Sequence, residues 1–197
     1  PPPPTIRPRH AAAPLNLLFV GNCVATRSMP LVFEALKRLP ALPWQLTVVG
    51  GGAALADWKS LVTTNGLTSR VIFTGAVPRT ELSGYYERAD VFVFPALRDS
   101  GGSGLLEAMS FGLPVVCCDC GGPAEMVDEN SGVKVPVTNP EAAISGFVAA
   151  FQKLHEQPAW RTALGGNAYR RVQEEFSWDK KRTVLEAAYA RCLGTSR

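Results

Sequence analysis

A chain of 197 residues is long enough for one sizeable domain and short for two, and 46% hydrophobic against 19% charged residues is the balance of a folded globular core. A formal charge of +3, with no basic run longer than three, excludes a nucleic-acid binder that works through charge. Five cysteines, three of them in Cys117-Cys118-Asp119-Cys120, are an odd number that makes no disulfide framework and predicts a reducing, cytoplasmic setting. No signal-peptide pattern opens the chain, and no apolar run approaches the roughly 18 residues of a membrane span.

Residues 1–14 begin with four prolines, which favour a stiff extended segment rather than a core element. We read them as a linker, or as the cut end of a fragment, and the chain as one half of a larger protein. The domain proper is expected over 15–197. Six short apolar runs punctuate it, at 15–20, 46–49, 71–73, 91–94, 115–118 and 133–137. Helical patterns lie between and after them. Pro30 suits a first helical position, and Val32, Phe33, Leu36 and Leu39 then share one face. Leu55, Trp58, Leu61 and Val62 mark the next helix, followed by helices at about 80–88, 105–111 and 124–127. Three more fill the end, at about 140–157, 159–175 and 178–193, with Ser177 as a cap for the last. Continuous rather than alternating apolar runs mean strands buried on both faces. The pattern predicts a doubly wound α/β domain, a six-stranded parallel sheet of Rossmann-like type. Ligands in such sheets bind at the carboxyl ends of the strands, where Gly21, Gly50, Gly75 and Gly101 fall.

Most of the short motifs have an ordinary explanation. Gly50-Gly51-Gly52 is an incomplete dinucleotide fingerprint, with Leu55 at the sixth position, and reads better as a tight turn. No P-loop pattern occurs. Cys117 and Cys118 fall inside a strand pattern and point to opposite faces, and only His10 and His155 are on hand as further metal ligands, so buried inert thiols are expected rather than a metal site. The scarcity of histidine also argues against a Ser-His-Asp triad, and Leu106 breaks the nucleophile elbow that Ser103 would need. Arg27, in the loop after the first strand, is either a solvated loop residue or a partner for a diphosphate.

The strongest signal runs from Arg98 to Glu107, a glycine-rich turn with a carboxylate near each end. Asp99 and Glu107 stand eight positions apart, with the amides of Ser103, Gly104 and Leu105 between them at a helix start. Helix-end amides attract anions, and carboxylates accept hydrogen bonds from sugar hydroxyls, so the stretch suits a ligand that is part phosphate and part sugar. The residues alone allow an equal alternative. Glu107 could be a charge favoured by the helix dipole, and Asp99 a turn former.

Six blocks decide between these readings by resemblance. Leu18-Phe19-Val20-Gly21, Val48-Val49-Gly50, Val71-Ile72-Phe73-Thr74-Gly75 and Ala89-Asp90-Val91-Phe92-Val93-Phe94-Pro95 come first. Leu106-Glu107-Ala108-Met109 with Gly112-Leu113-Pro114-Val115-Val116, then Gly121-Gly122-Pro123-Ala124-Glu125-Met126-Val127, complete them. In order, they resemble the C-terminal domain of the retaining glycosyltransferases of family 4, which have the GT-B fold. The resemblance runs from Leu15 to about Trp178.

The resemblance implies that the family's pair of glutamates falls on Asp99 and Glu107, with Asp99 one methylene shorter than the usual residue. Glu107 would bind the ribose hydroxyls of a nucleotide sugar, and Asp99 would act at the reacting carbon by holding donor-sugar hydroxyls. Amides around Ser103, Gly104 and Leu105 would meet the diphosphate or the sugar. The first loop, Gly21 onward, would hold the diphosphate through two cations; here the positions read Asn22 and Arg27, so one cation is lost. Val77 and Arg79 lie where the family contacts the base. No metal or other cofactor is implied. The implied partners are a UDP- or GDP-type nucleotide sugar and the protein's own acceptor-side N-terminal domain, with no nucleic acid. Peripheral association of the full protein with a membrane stays open, as does its oligomeric state. The expected activity is sugar transfer with retention by the full-length protein. The chain alone, lacking half the cleft, is expected to fold, bind nucleotide weakly and transfer nothing, and to leave an exposed face open to self-association. The rivals are a sugar-nucleotide epimerase or phosphorylase on a similar fold, and a non-catalytic nucleotide-binding or protein-interaction module.

Overall fold

A computed structural model describes residues 13–99 and 101–194; most of the proline-rich start, and Ser100 within the turn, lie outside the described residues. Six parallel strands, β1 (Leu15–Val20), β2 (Trp44–Val49), β3 (Val71–Gly75), β4 (Val91–Phe94), β5 (Val115–Cys118) and β6 (Gly132–Val135), form one sheet in the order β3-β2-β1-β4-β5-β6. The helices are α1 (Met29–Lys37), α2 (Leu55–Thr64), α3 (Leu82–Arg88), α4 (Ser103–Ser110), α5 (Gly121–Met126), α6 (Pro140–Glu156), α7 (Pro158–Arg171) and α8 (Trp178–Cys192). This is the doubly wound, Rossmann-like α/β fold that the six apolar runs predict.

Two-sided burial explains why those runs are continuous. Leu15, Leu17 and Phe19 of β1, with Val91 and Val93 of β4, enter a core shared with α1, α2 and α6. Leu18, Phe92 and Phe94 point the other way, into a core with Tyr86, Leu105, Ala108 and Met109. Cys118 joins the first core and Cys117 the second, both fully buried, as expected for neighbours on a strand.

Element boundaries depart from the expected ones where local chemistry intervenes. β2 begins two residues early, at Trp44, whose indole donates to the Leu39 carbonyl (3.1 Å) and lies under the Arg70 guanidinium. β6 stops at Val135 because Pro136 has no amide to continue the ladder. α5 starts at Gly121, three residues before the expected 124; Pro123 is tolerated in a first turn. The expected helix at 159–175 is in fact α7 followed by a π turn, Val172–Phe176. Asn139 caps α6 by accepting from Ala142 N (2.9 Å), and Ser177 caps α8 by accepting from Lys180 N (3.3 Å). α8 contributes no buried residue, and Trp178, Val184, Leu185 and Tyr189 are exposed along it.

Candidate functional site

The strand order changes direction between β1 and β4, and doubly wound sheets bind ligands in the crevice beyond the carboxyl ends of the strands at such a point. Arg27 lies in the loop after β1, Asp99 in the loop after β4 and Glu107 one turn into α4, whereas Val77 and Arg79 follow the edge strand β3. Backbone contacts hold those loops in place. Gly50 (φ +137°) ends β2 so close to β1 that a Cβ would stand 1.9 Å from the Gly21 carbonyl oxygen. Leu97 N, after β4, donates to Thr26 O (3.1 Å) and so ties the two crevice loops together. On the other side, Gly122 N donates to Asp99 O (2.9 Å), and at Gly121 (φ +61°) a Cβ would press to 3.0 Å from that same oxygen.

Arg27 ends a short 3-10 turn, Ala25–Arg27, before Ser28 turns the chain into α1 with φ +49°. Its guanidinium lies 4.9 Å from the centre of the Phe94 ring and pairs, through Nη1, with Asp99 Oδ2. The side chains are 21% and 10% exposed, so this is a largely desolvated pair. Burial lowers the proton affinity of Arg27, but a guanidinium remains charged at any physiological pH. Arg27 Nε is buried without an acceptor among the described residues. Asp99 Oδ1 accepts from Gly101 N (2.9 Å), so both of its oxygens are engaged.

Glu107 sits one turn into α4. Its Oε1 accepts from Arg79 Nη2 and its Oε2 from the Tyr86 hydroxyl, both at 3.2 Å. Tyr86 is buried and stacked on Phe111 at 5.0 Å. Burial first, and then the Glu107 charge, push its phenol well above the ordinary range, so it stays a proton donor. Arg79 belongs to the turn Arg79–Glu81 before α3 and is highly exposed, whereas Val77 beside it is half-buried against the second core.

The helix start between the carboxylates is partly self-satisfied. Ser103 N donates to Gly101 O (3.0 Å) and Leu105 N to Gly102 O (2.9 Å). Leu105 is fully buried, Ser103 is exposed, and Gly104 brings α4 against the end of β1, where a Cβ would lie 3.4 Å from Val20 O. Gly21 is half-buried and Asn22 exposed at the mouth of the first loop. Among the described residues the Asn22 side chain makes no bond to the Arg27–Asp99 pair. A separate apolar hollow of about 600 Å³ opens behind the Ala25–Arg27 turn, lined by Leu31, Ala54, Trp58, Leu97 and Val137, and includes neither Arg27, Asp99 nor Glu107.

The crevice thus offers a cation and a helix end for an anion, and carboxylates for hydroxyls. The structure brings Arg27 to Asp99 and Arg79 to Glu107. Two contributors escape a reading of the sequence. Phe94 looks only like a strand residue, and Tyr86 only like a helix residue before a strand. An aromatic followed by Ala89-Asp90 and an apolar run is the one available cue for Tyr86. Cys120 also packs under the second loop, its Sγ 3.7 Å from the carbonyls of both Ala96 and Leu97.

Comparisons with known proteins place this crevice in context. The D-inositol 3-phosphate glycosyltransferase of Kineococcus radiotolerans is 32% identical over 197 residues, covering 90% of this chain and 44% of that protein. An uncharacterized glycosyltransferase of Methanocaldococcus jannaschii is 29% identical over 172 residues, covering 85% of this chain and 43% of its own length. The chain therefore spans less than half the length of these curated relatives. Among solved structures, sucrose-phosphate synthase from Thermosynechococcus elongatus superimposes with a TM-score of 0.79 at 28% identity, over 95% of this chain and 47% of that one. The C-terminal domain of a glycosyl transferase group 1 protein from Francisella tularensis shares the fold, with a TM-score of 0.71 at 23% identity, over 84% of this chain and 89% of that one. The sequence match that carries the most weight spans residues 6–171, taking in both crevice loops and all six strands, and by it the chain belongs to the family of glycosyl transferases group 1.

Proposed function

We propose that this chain is the donor-binding, C-terminal half of a retaining glycosyltransferase of family 4 that moves a sugar from a nucleoside diphosphate to an acceptor. The observation that carries the reading is the Arg27–Asp99 pair joining the loops that leave β1 and β4, at the point where doubly wound sheets bind nucleotides, with Glu107 on the helix that follows. In this reading Glu107, oriented by Tyr86 and Arg79, accepts from the ribose hydroxyls, and Val77 and Arg79 border the base. Gly21 and Asn22 shape the first loop around the diphosphate. Ser103, Gly104 and Leu105 place the positive end of α4 toward the same group.

The chemistry breaks the bond between the anomeric carbon and the diphosphate oxygen, so negative charge grows on the leaving group. Arg27 and the α4 end supply the countercharge without a metal ion, and Asp99 holds the sugar in place. Retention and the donor assignment of Asp99 rest on the family resemblance. The acceptor belongs to the remaining half of the protein, and the exposed apolar residues of α8 are a natural contact for it. The match to 89% of a fragment described as a C-terminal domain supports the division into halves.

Titration calorimetry with UDP, GDP and ADP tests the reading. One of the three is expected to bind, and Glu107→Ala to abolish that binding. Absence of binding by all three would favour an interaction module, and robust sugar transfer by the isolated chain would refute the division of the cleft.

A further inference from the structure

In the free chain Arg27 pairs with Asp99 through one of its nitrogens, Nη1. We propose that Asp99 is an internal stand-in for the ligand's anion: it holds Arg27 until a diphosphate takes the guanidinium over, and only then does its carboxylate turn to sugar hydroxyls. The inference rests on the donor-site reading and adds to it a coupling between the phosphate and sugar subsites.

Three features of the pair support the exchange. The Asp99 carboxylate is fully engaged, by Arg27 on one oxygen and Gly101 N on the other, so in the free state it has already found its partners. Arg27, by contrast, is incompletely satisfied, because its Nε is buried with no acceptor among the described residues. A single carboxylate oxygen meets one of its nitrogens, whereas a phosphate can meet both Nη atoms together in the forked arrangement guanidinium groups favour. Phe94 supports the guanidinium at 4.9 Å whichever anion it faces. The two loops that carry the pair are pinned to one another by Leu97 N–Thr26 O, and Asp99 is pinned through its own carbonyl to Gly122. The exchange therefore needs only side-chain movement.

The consequence is a preference for the intact donor over the spent one. When a diphosphate captures Arg27, Asp99 is left as a mostly buried anion short of one partner, which is unfavourable. Sugar hydroxyls on the same ligand donate to it and remove that penalty. After transfer the sugar is gone, Asp99 again lacks a partner, and its attraction for Arg27 competes with the bound diphosphate. Asp99 thereby favours product release as well as donor capture.

The test is Asp99→Asn, whose amide oxygen can still accept from Gly101 N but carries no charge to hold Arg27. Calorimetry would compare wild type and variant with UDP, GDP and ADP and with UDP-glucose, GDP-mannose and ADP-glucose. The variant is expected to bind the nucleoside diphosphate about tenfold more tightly than wild type, on the order of one lost charge pair. The advantage of the sugar-bearing ligand over its diphosphate should shrink toward one. Thermal melting checks the fold, and Asp99→Ser, which keeps a short acceptor for Gly101, repeats the measurement if the asparagine variant melts early. Wild-type binding that Asp99→Asn leaves unchanged or weakens would overturn the exchange while leaving the donor site standing. If neither wild type nor variant binds any of the six ligands, the donor-site reading falls and the exchange falls with it.

Discussion

Replacing Tyr86 by Phe removes one oxygen and tests whether Glu107 must be aimed. The ring stays stacked on Phe111 at 5.0 Å, so the apolar packing survives. What is lost is the hydrogen bond at 3.2 Å to Glu107 Oε2. A hydrogen bond to a charged group contributes about 1.5–3 kcal/mol. The Glu107 side chain is 35% exposed, so water replaces part of that, and about 1 kcal/mol remains. Among the described residues Glu107 is then held only by Arg79, which is 87% exposed and a loose anchor. Ribonucleotide affinity should fall about fivefold, the equivalent of 1 kcal/mol, and the melting temperature by roughly 2–4 °C. Calorimetry with UDP and 2′-deoxy-UDP supplies the control, assuming the chain accepts uracil; otherwise the base identified for the wild type is used. If Tyr86 acts by aiming Glu107 at the ribose, the loss should be much smaller for the deoxy ligand, as in a double-mutant cycle. Full affinity in Tyr86→Phe, or an equal loss for both ligands, would refute the reasoning.

Three further outcomes follow from packing and charge. Gly165→Ala would place a Cβ 2.1 Å from the Gly112 carbonyl oxygen, a backbone atom that cannot step aside, so α7 must shift; the cost should be about 1–3 kcal/mol in a urea melt, and an unchanged midpoint would contradict it. Burial acts to raise the Asp128 carboxyl, but the Ser131 hydroxyl, Arg171 and the amides of Asn130 and Ser131 outweigh it and hold it below its ordinary 3.8. A depressed carboxyl stabilises fully above its unfolded value and loses that contribution as pH falls through the native one, so Asp128→Asn should flatten the acid limb of the stability curve, and an identical acid limb would refute this. Burial pushes the thiols of Cys117 and Cys118 up to about 12, so iodoacetamide at pH 8 should modify exposed Cys192 and spare both until the chain unfolds; mass spectrometry showing adducts on either in the native chain would contradict it.

Much of this architecture is legible from residue order alone. Runs such as Val91–Phe94 and Val115–Cys118 are apolar at every position, and that pattern has one economical explanation, a strand covered on both faces. Alternation of such runs with helical patterns then leads to parallel pairing, and glycines at the strand ends mark where the crevice lies. Element edges are not legible in the same way, because they depend on interactions between distant residues. The extension of β2 to Trp44 involves Arg70, which donates to the Trp44 carbonyl (3.2 Å), and the π turn after α7 involves Arg171, which reaches from α7 to Asp128 and lies over Phe176.

The site divides in the same way. That Asp99, Glu107 and Arg27 are chemistry-bearing residues near strand ends follows from their types and their places along the chain, since position along a strand dictates which end of the sheet a loop occupies. Which charge meets which does not follow, because pairing depends on distances between loops 72 positions apart, as for Arg27 and Asp99, and 28 apart, as for Arg79 and Glu107. Local sequence carries no information about those separations. Only the assembled sheet, with β1 beside β4, brings the first loop to the second, seats Arg27 on Phe94, and sets Tyr86 against Glu107.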